Sequence, residues 1–504
     1  MKNKYIQAAL IFSATVLAAG CDFEDKNVDP NNSTSIEPGP LLTYTQLNTC
    51  TDANTKNMQV GTCMMLVQQT ATLNTTEASA GDKYYQMSTP ANAYFKDFYG
   101  NAIKNWREME IQASKSEDQQ NMLAVAKIWG AYLFQRMTDL YGNVPYSEAG
   151  LGYHKHIFTP KYDKQEDIYT DMIAQVKAGL ELLDASKPGI KGDLFYDGDI
   201  AKWKKFGNSL LLRIGMRLSK VNPSLAEATA KQAIAGGILD DKKDVCMVRH
   251  IGSGREYDKN PLVVRFGKDS YIQNDIVKIS STFMDYLNST NDPRMKVFCS
   301  LKDGSTPDTQ YGLPNGFDNK TIVFPAGMTI DKYSNFNINT IMRPEAPTLF
   351  MMPSESKLLH AEAALRGWVS GDAAALFNDA VRLSMKEQAV VYGKAGEISD
   401  SDIDAYIAQD LFGNAAGMDK KLEVLGYQYW VATFMNGFES YANWRRCGYP
   451  KLTATNFNGN ESNGQIPRRL PYAGDEYTIN KENLNAAIQQ QGPDNVNTRI
   501  WWDK

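Results

Sequence analysis

Apolar side chains three and four residues apart recur along most of this chain, and such spacing buries one face of a helix. Met122, Ala126, Trp129, Leu133 and Met137 form one stripe, widened by Val125, Ile128 and Tyr132. Ile168, Met172, Val176, Leu180 and Leu183 form a second. Asn222-Pro223-Ser224 heads an Ala-rich run that stops at Gly236-Gly237, which puts a cap, an N1 proline and a glycine stop in helical order. The same spacing predicts helices over roughly 97–114, 199–219, 355–369, 373–391 and 421–441.

One pair of these helices carries a signature. Ala361-Glu362-Ala363 and Arg366, then Gly371-Asp372, then Ala373 to Arg382 look like a tetratricopeptide-type hairpin, with small residues at the helix contact and Gly-Asp at the turn. The period is not cleanly repeated elsewhere. The expected fold class is therefore mostly α: a helical scaffold with degenerate tetratricopeptide-like helix pairs and long irregular loop insertions. Glycine and proline crowd the stretch from about 242 to 350, with Gly252, Gly267, Gly312 and Gly327 among Pro261, Pro293, Pro314 and Pro344. Residues 74–95 and 450–482 read as shorter irregular stretches. No linker splits the chain, so residues 21–504 are expected to form a single domain, and long loops on such a scaffold commonly carry function.

A hydrophobic fraction of 43% over 504 residues can build a large core, and a net charge of −5 provides no footprint for nucleic acid. Residues 1–20 read as an export signal: Lys2 and Lys4 precede a nearly uncharged run from Tyr5 to Ala19. Leu17-Ala18-Ala19-Gly20-Cys21 resembles a bacterial lipoprotein box, with Ala18 where leucine is commonest. That resemblance makes Cys21 the lipidated first residue of the mature chain, and acyl chains contribute about 0.8 kcal/mol per buried methylene to anchoring. After residue 20 no stretch approaches the roughly 18 apolar residues of a membrane-spanning helix. Cys50, Cys63, Cys246, Cys299 and Cys447 remain, an odd number without C-x-x-C; they read mostly as small buried apolar residues, and spacing leaves a disulfide open.

Signatures of catalysis are missing. His154 and His156 form an H-x-H pair without a third ligand and read as a solvated loop; His360 reads as structural. Gly252-Ser253-Gly254 is followed by Tyr257 where a dinucleotide fingerprint needs glycine, and Asp197-Gly198-Asp199 matches a calcium loop only superficially. Nothing selects two carboxylates from the 58 acidic residues for glycoside hydrolysis. No cofactor and no metal are expected, and the chain reads as no enzyme.

Several strings in fixed order resemble one family, the SusD/RagB-type surface lipoproteins of Bacteroidetes. They are Asn27-Val28-Asp29-Pro30-Asn31; Arg136-Met137-Thr138-Asp139-Leu140-Tyr141-Gly142-Asn143-Val144-Pro145; Trp203 to Leu210 with Arg213; and Asn291-Asp292-Pro293-Arg294. Asn436-Gly437-Phe438-Glu439, Trp444-Arg445-Arg446, Ile466-Pro467-Arg468-Arg469 and Trp501-Trp502-Asp503 complete the set. Their physical reading is mostly structural, with Arg445 and Arg446 expected to pair near Glu439 and the terminal tryptophans to cover apolar surface. The resemblance implies a nutrient-binding protein of the outer membrane, lipid-anchored at Cys21 and facing the cell exterior. It would take oligosaccharides, in some members peptides, and deliver them without chemical conversion to a SusC-like TonB-dependent transporter. A lipid-anchored surface glycoside hydrolase is the alternative.

A sugar site needs flat aromatic faces and polar partners for hydroxyls. All eight tryptophans fall in expected helices or in the strings above, so stacking passes to Tyr or Phe in loops. The candidate ligand-binding residues are Asp82, Tyr84, Tyr85, Tyr333 and Phe336, among neighbours that include Asn92, Tyr94, Tyr271, Tyr311, Phe317 and Asn335.

Overall fold

The computed structural model describes residues 36–51, 53–75, 80–255, 258–264 and 277–504. The export signal, Cys21, the Asn27 to Asn31 string, Tyr257 and Tyr271 lie outside the described residues. From Pro38 to Lys504 the chain builds one unit.

The helices expected from periodicity are present. The order of the longer helices opens with α1 (Pro38–Asn48), α2 (Ser88–Asp97), α3 (Lys104–Ala113), α4 (Gln120–Tyr141), α5 (Gln165–Leu182), α6 (Ile200–Arg217) and α7 (Pro223–Ala235). After α8 (Ser281–Ser289) come α9 (Pro353–Leu365), α10 (Ala373–Tyr392), α11 (Asp400–Ile407), α12 (Gly417–Ala432), α13 (Gly437–Cys447) and α14 (Lys481–Gln491). α4 packs on α5, α6 on α7 and α9 on α10, giving the tetratricopeptide-like pairs. Their starts are chemically marked: Asp199, Asn222 and Asp372 each accept a backbone N–H of the first turn of α6, α7 and α10.

Several boundaries depart from the sequence reading. The expected helix over 421–441 is two helices, because Met435 turns left-handed (φ 66°) and Asn436 donates across to Phe350 O at 3.0 Å. That turn seats on a π-helix, Ala53–Cys63, which no apolar stripe announces. A Cβ at Gly437 would lie 2.6 Å from Gln59 O, so only glycine fits the contact. The helix expected from residue 97 starts in a π turn, Phe98–Ile103, before α3. α2 fills part of the stretch read as irregular, and α1 and α14 were not expected.

The loop-rich stretch holds only short ladders. β1 (Thr70–Ala71) pairs antiparallel with β3 (Lys278–Ile279), and β2 (Cys246–Val248) with β6 (Thr348–Met351). β4 (Cys299–Ser300) pairs with β5 (Asn335–Phe336) in the same sense. Beneath these loops Ala71, Leu73, Leu313 and Tyr333 form an apolar cluster separate from the main core, flanked by Ile322, Phe324, Met328 and Ile330. The five described cysteines are all unpaired; burial pushes the Cys50 and Cys63 thiols up to about 12, so they stay neutral.

The ordered strings converge inside. Arg213 grips Glu355 through two bonds of 2.6 and 2.9 Å and lies 3.4 Å from Glu439. Arg217 donates to Glu439 at 2.6 Å and lies 3.4 Å from Asp139. Asp139 also accepts from Trp502 Nε1 at 2.9 Å and from the Tyr169 hydroxyl. Arg445 and Arg446 do not pair with Glu439: Arg446 holds Glu362 at 2.8 and 2.6 Å, and Arg445 donates to the carbonyls of Asp139 and Arg468. Glu439 is taken by α6, while Arg446 lies against α9. Trp502 is buried and hydrogen-bonded, not a cover for apolar surface alone.

Burial alone would raise the Glu362 carboxyl, but Arg446 and Arg366 outweigh it and hold it near 2, down from 4.5. That contribution to stability is present above 4.5 and is lost as pH falls toward about 2. Glu387 goes the other way: burial pushes it up to about 8, with Ser354 N–H donating at 3.2 Å. The folded chain keeps this proton where the unfolded chain releases it, so stability falls as pH rises from 4.5 toward about 8. Glu387→Gln should flatten that fall in denaturant midpoints measured across the same pH range. Arg213→Ala leaves two buried carboxylates short of their cation and should cost about 3–5 kcal/mol in urea unfolding.

Candidate functional site

Residues 68–75, 80–87, 311–318 and 453–461 meet on one side of the scaffold, fastened around Asp82. Gly81–Lys83 is a single 3₁₀ turn. A Cβ on Gly81 would fall 2.7 Å from Gly61 O and 2.9 Å from Thr62 Cα, so glycine is what lets this turn lie on the π-helix. Lys83 Nζ stands 2.9 Å from Asp82 Oδ1, and neither side chain reaches solvent. Asp82 Oδ2 accepts from Gly316 N–H at 3.2 Å and Thr72 N–H at 3.4 Å, while Asp82 O accepts from the Thr455 hydroxyl at 2.7 Å. Lys83 Nζ donates to Thr72 O. One buried ion pair therefore ties all three segments together.

Tyr84 continues the fastening. It sits left-handed at φ 55°, its hydroxyl accepts Thr455 N–H at 3.2 Å, and its carbonyl accepts Glu461 N–H at 2.8 Å. Burial raises its phenol. Gln68 Nε2 donates to Thr453 O, and Asn315 Nδ2 to Thr70 O at 2.8 Å. The loops are thus cross-linked by polar groups whose bonds are already made, which preorganises whatever they display.

The residues singled out from sequence have unequal places here. Tyr85 is half-buried, and its ring meets Phe457 edge to face at 5.9 Å and 68°. Tyr84, Asp82, Tyr333 and Phe336 are buried and expose no face or carboxylate to a ligand. Tyr333 fills the apolar cluster beneath the loops against Phe324, at 5.9 Å, and Phe336 packs on Phe434 of the main core at 6.0 Å. Physically, Asp82 spends its carboxylate on Lys83 and two amides, and the rings complete cores that the short strands cannot close. Tyr94 is likewise core, stacked on Phe98, while Asn92 accepts Gly474 N–H at 2.8 Å. Tyr311 (56%) and Phe317 (38%) are the exposed aromatics of the 311–318 segment.

Phe457 was missed. It lies in a stretch read as irregular, and Asn456, Asn458, Gly459 and Asn460 around it are the turn residues that could have marked a displayed ring. The tryptophans offer no platform on these loops: Trp106, Trp129, Trp203, Trp430, Trp444 and Trp502 are buried, the half-buried Trp368 lies under the Arg366 guanidinium at 5.3 Å, and the half-buried Trp501 packs on Tyr169 at 6.1 Å. His154 is part-exposed and bonds Glu108 at 2.6 Å, His156 is exposed, and no group of three metal-binding side chains exists among the described residues. Burial lowers the His360 imidazole, in keeping with a structural role.

A family model described as SusD-like, starch-binding and associating with the outer membrane matches residues 30–473. A solved structure described as a chitin-binding protein is 34% identical, covers 93% of this chain and 100% of its own, and superposes with a TM-score of 0.81. A Bacteroidetes SusD-like structure is 25% identical over 93% of this chain and 100% of its own, also at TM-score 0.81. A chitin-binding SusD homologue from Flavobacterium johnsoniae shares the fold at 23% identity, with TM-score 0.77 and coverage of 92% and 98%. No curated protein matches.

Asp82→Ala should strand the Lys83 ammonium and unfasten the loops. Amide exchange at Gly316 and Thr72 is expected to accelerate, while Tyr85→Ala leaves both amides as slow as in the native chain.

Proposed function

The chain belongs to the SusD-like family, and from that premise we propose that it captures oligosaccharides at the outer-membrane surface and passes them on unchanged. The observation that carries this reading is the half-buried Tyr85–Phe457 pair, held on loops that buried polar bonds have already ordered. An aromatic face offers its π-cloud to the C–H side of a pyranose ring, and Asn456, Asn458 and Thr453 beside it supply hydroxyl partners. Tyr85 is the proposed contact among the sequence candidates; Asp82 and Tyr84 position the loops that carry it, whereas Tyr333 and Phe336 pack the cores beneath. Relatives described as chitin-binding support chitooligosaccharides as the first cargo to test.

The remaining elements of the proposal follow from family membership. The recipient is a SusC-like TonB-dependent transporter, and the scaffold of helix pairs is the side offered to it. Residues 1–20 act as the export signal, and residues 21–504 form one domain with its loop-rich insertion at about 242–350. Lipid on Cys21 holds that domain to the membrane, outside the cell. A peptide is the second cargo, favoured by loops that display Tyr311 and Phe317 and no tryptophan.

Calorimetric titration with chitooligosaccharides and with peptides separates the two cargoes. Tyr85→Ala should weaken the bound class about tenfold without moving the thermal midpoint. Steady product release from a glycan panel, abolished by one carboxylate substitution, would replace binding by hydrolysis. Cys21→Ala should stop incorporation of labelled palmitate and release the protein from the membrane fraction.

A further inference from the structure

A second aromatic site lies at the other end of the 449–457 segment. Tyr286 of α8 and Tyr427 of α12 stack at 4.7 Å and 21°, both half-buried, and line a groove of about 500 Å³. Volumes of a few hundred Å³ suit a small ligand or one unit of a polymer. Leu411 and Val424 supply apolar lining, and Asn414 and Lys420 bring polar groups to the same groove.

The pair is built from below. Gln428 Nε2 donates to the Tyr286 hydroxyl at 3.0 Å and to Tyr406 at 2.7 Å, while its Oε1 accepts from Arg294 at 2.7 Å. Arg294 in turn holds Asp292 and the Ser384 hydroxyl. The string Asn291 to Arg294 thereby fixes the orientation of an aromatic ring at the surface.

One stretch of chain joins the groove to the loop face. The Tyr427 hydroxyl meets the backbone of Lys451, whose ammonium lies 4.4 Å from the Tyr449 ring. From Lys451 the chain passes the Gln68 contact at Thr453 and the Asp82 contact at Thr455 to reach Phe457. Six residues span at most about 20 Å, the length of a short oligosaccharide.

We propose that the Tyr286–Tyr427 groove is a second saccharide subsite that takes an N-acetylated sugar ring of the chain already resting on Tyr85. The apolar lining accepts the acetamido methyl; Asn414, whose Nδ2 is held by Gln409 O at 3.1 Å, turns its amide oxygen to the acetamido N–H, and the Lys420–Glu423 pair, at 2.8 Å, serves the hydroxyls. This inference rests on the glycan-binding reading above and adds the requirement that ligand length matters.

Titrate the full mature domain with chitin disaccharide and hexasaccharide. The hexasaccharide should bind about tenfold or more tightly than the disaccharide. Tyr427→Ala, and independently Ala415→Trp, which fills the groove, should remove that advantage and leave disaccharide affinity unchanged. Wild-type hexasaccharide affinity in either variant, at an unchanged thermal midpoint, would overturn the subsite while leaving binding at Tyr85 intact. Equal affinity of the wild type for both lengths would also overturn it. A wild type that binds no saccharide would remove both the subsite and the glycan reading.

Discussion

Everything in this molecule is hung on carboxylates buried beside arginines. Asp139 on α4, Glu355 on α9 and Glu439 on α13 are bridged by Arg213 and Arg217 of α6, so four helices distant in sequence share one charged cluster. Taking such charges out of water costs several kcal/mol per ion, and the cluster is tolerable only because nearly every oxygen has a donor. Tyr429 donates to Glu439 at 2.7 Å, and Trp502 and Tyr169 donate to Asp139. Removing one member leaves the others charged and dry, which costs several kcal/mol. A hydrophobic interface of equal area would slide more easily.

The loops depend on that rigidity in a second tier. The π-helix at Ala53–Cys63 touches α13 through Gly437 and the Gly81–Lys83 turn through Gly81. Gln59 Nε2 adds a bond to Met435 O at 2.8 Å. The position of Tyr85 is thus inherited from the helical body through two glycine contacts and the Asp82–Lys83 pair. Ordering a loop costs roughly 1–2 kcal/mol of backbone entropy per residue, and here the cost is met during folding and not at ligand binding. Tyr286 follows the same logic by another route, through Gln428 and Arg294.

Helices were legible because their signal is local. Stripes such as Met122 to Met137 name their own buried face, and Asn222-Pro223 and Gly371-Asp372 punctuate the ends. The helix drawn over 421–441 misplaced its break because Thr433 to Gly437 turns to satisfy distant groups, Phe350 O and the π-helix. The partners of Glu439 were misassigned for a like reason: nearness in sequence favoured Arg445 and Arg446, whereas Arg213 and Arg217 arrive from α6. Among the candidate ligand residues, composition could not separate the half-buried ring of Tyr85 from Tyr84, its buried neighbour.

The amino-acid sequence by itself determined the family and the helical scaffold, since apolar period, caps and ordered strings are properties of residues near one another in the chain. Only the tertiary structure decided which aromatics face solvent and which arginine answers which carboxylate. Those outcomes depend on contacts between segments more than a hundred residues apart, such as Asp82 with Thr455 or Tyr286 with Tyr427. Desolvation and pairing act on distances in space, and no spacing along the chain encodes them.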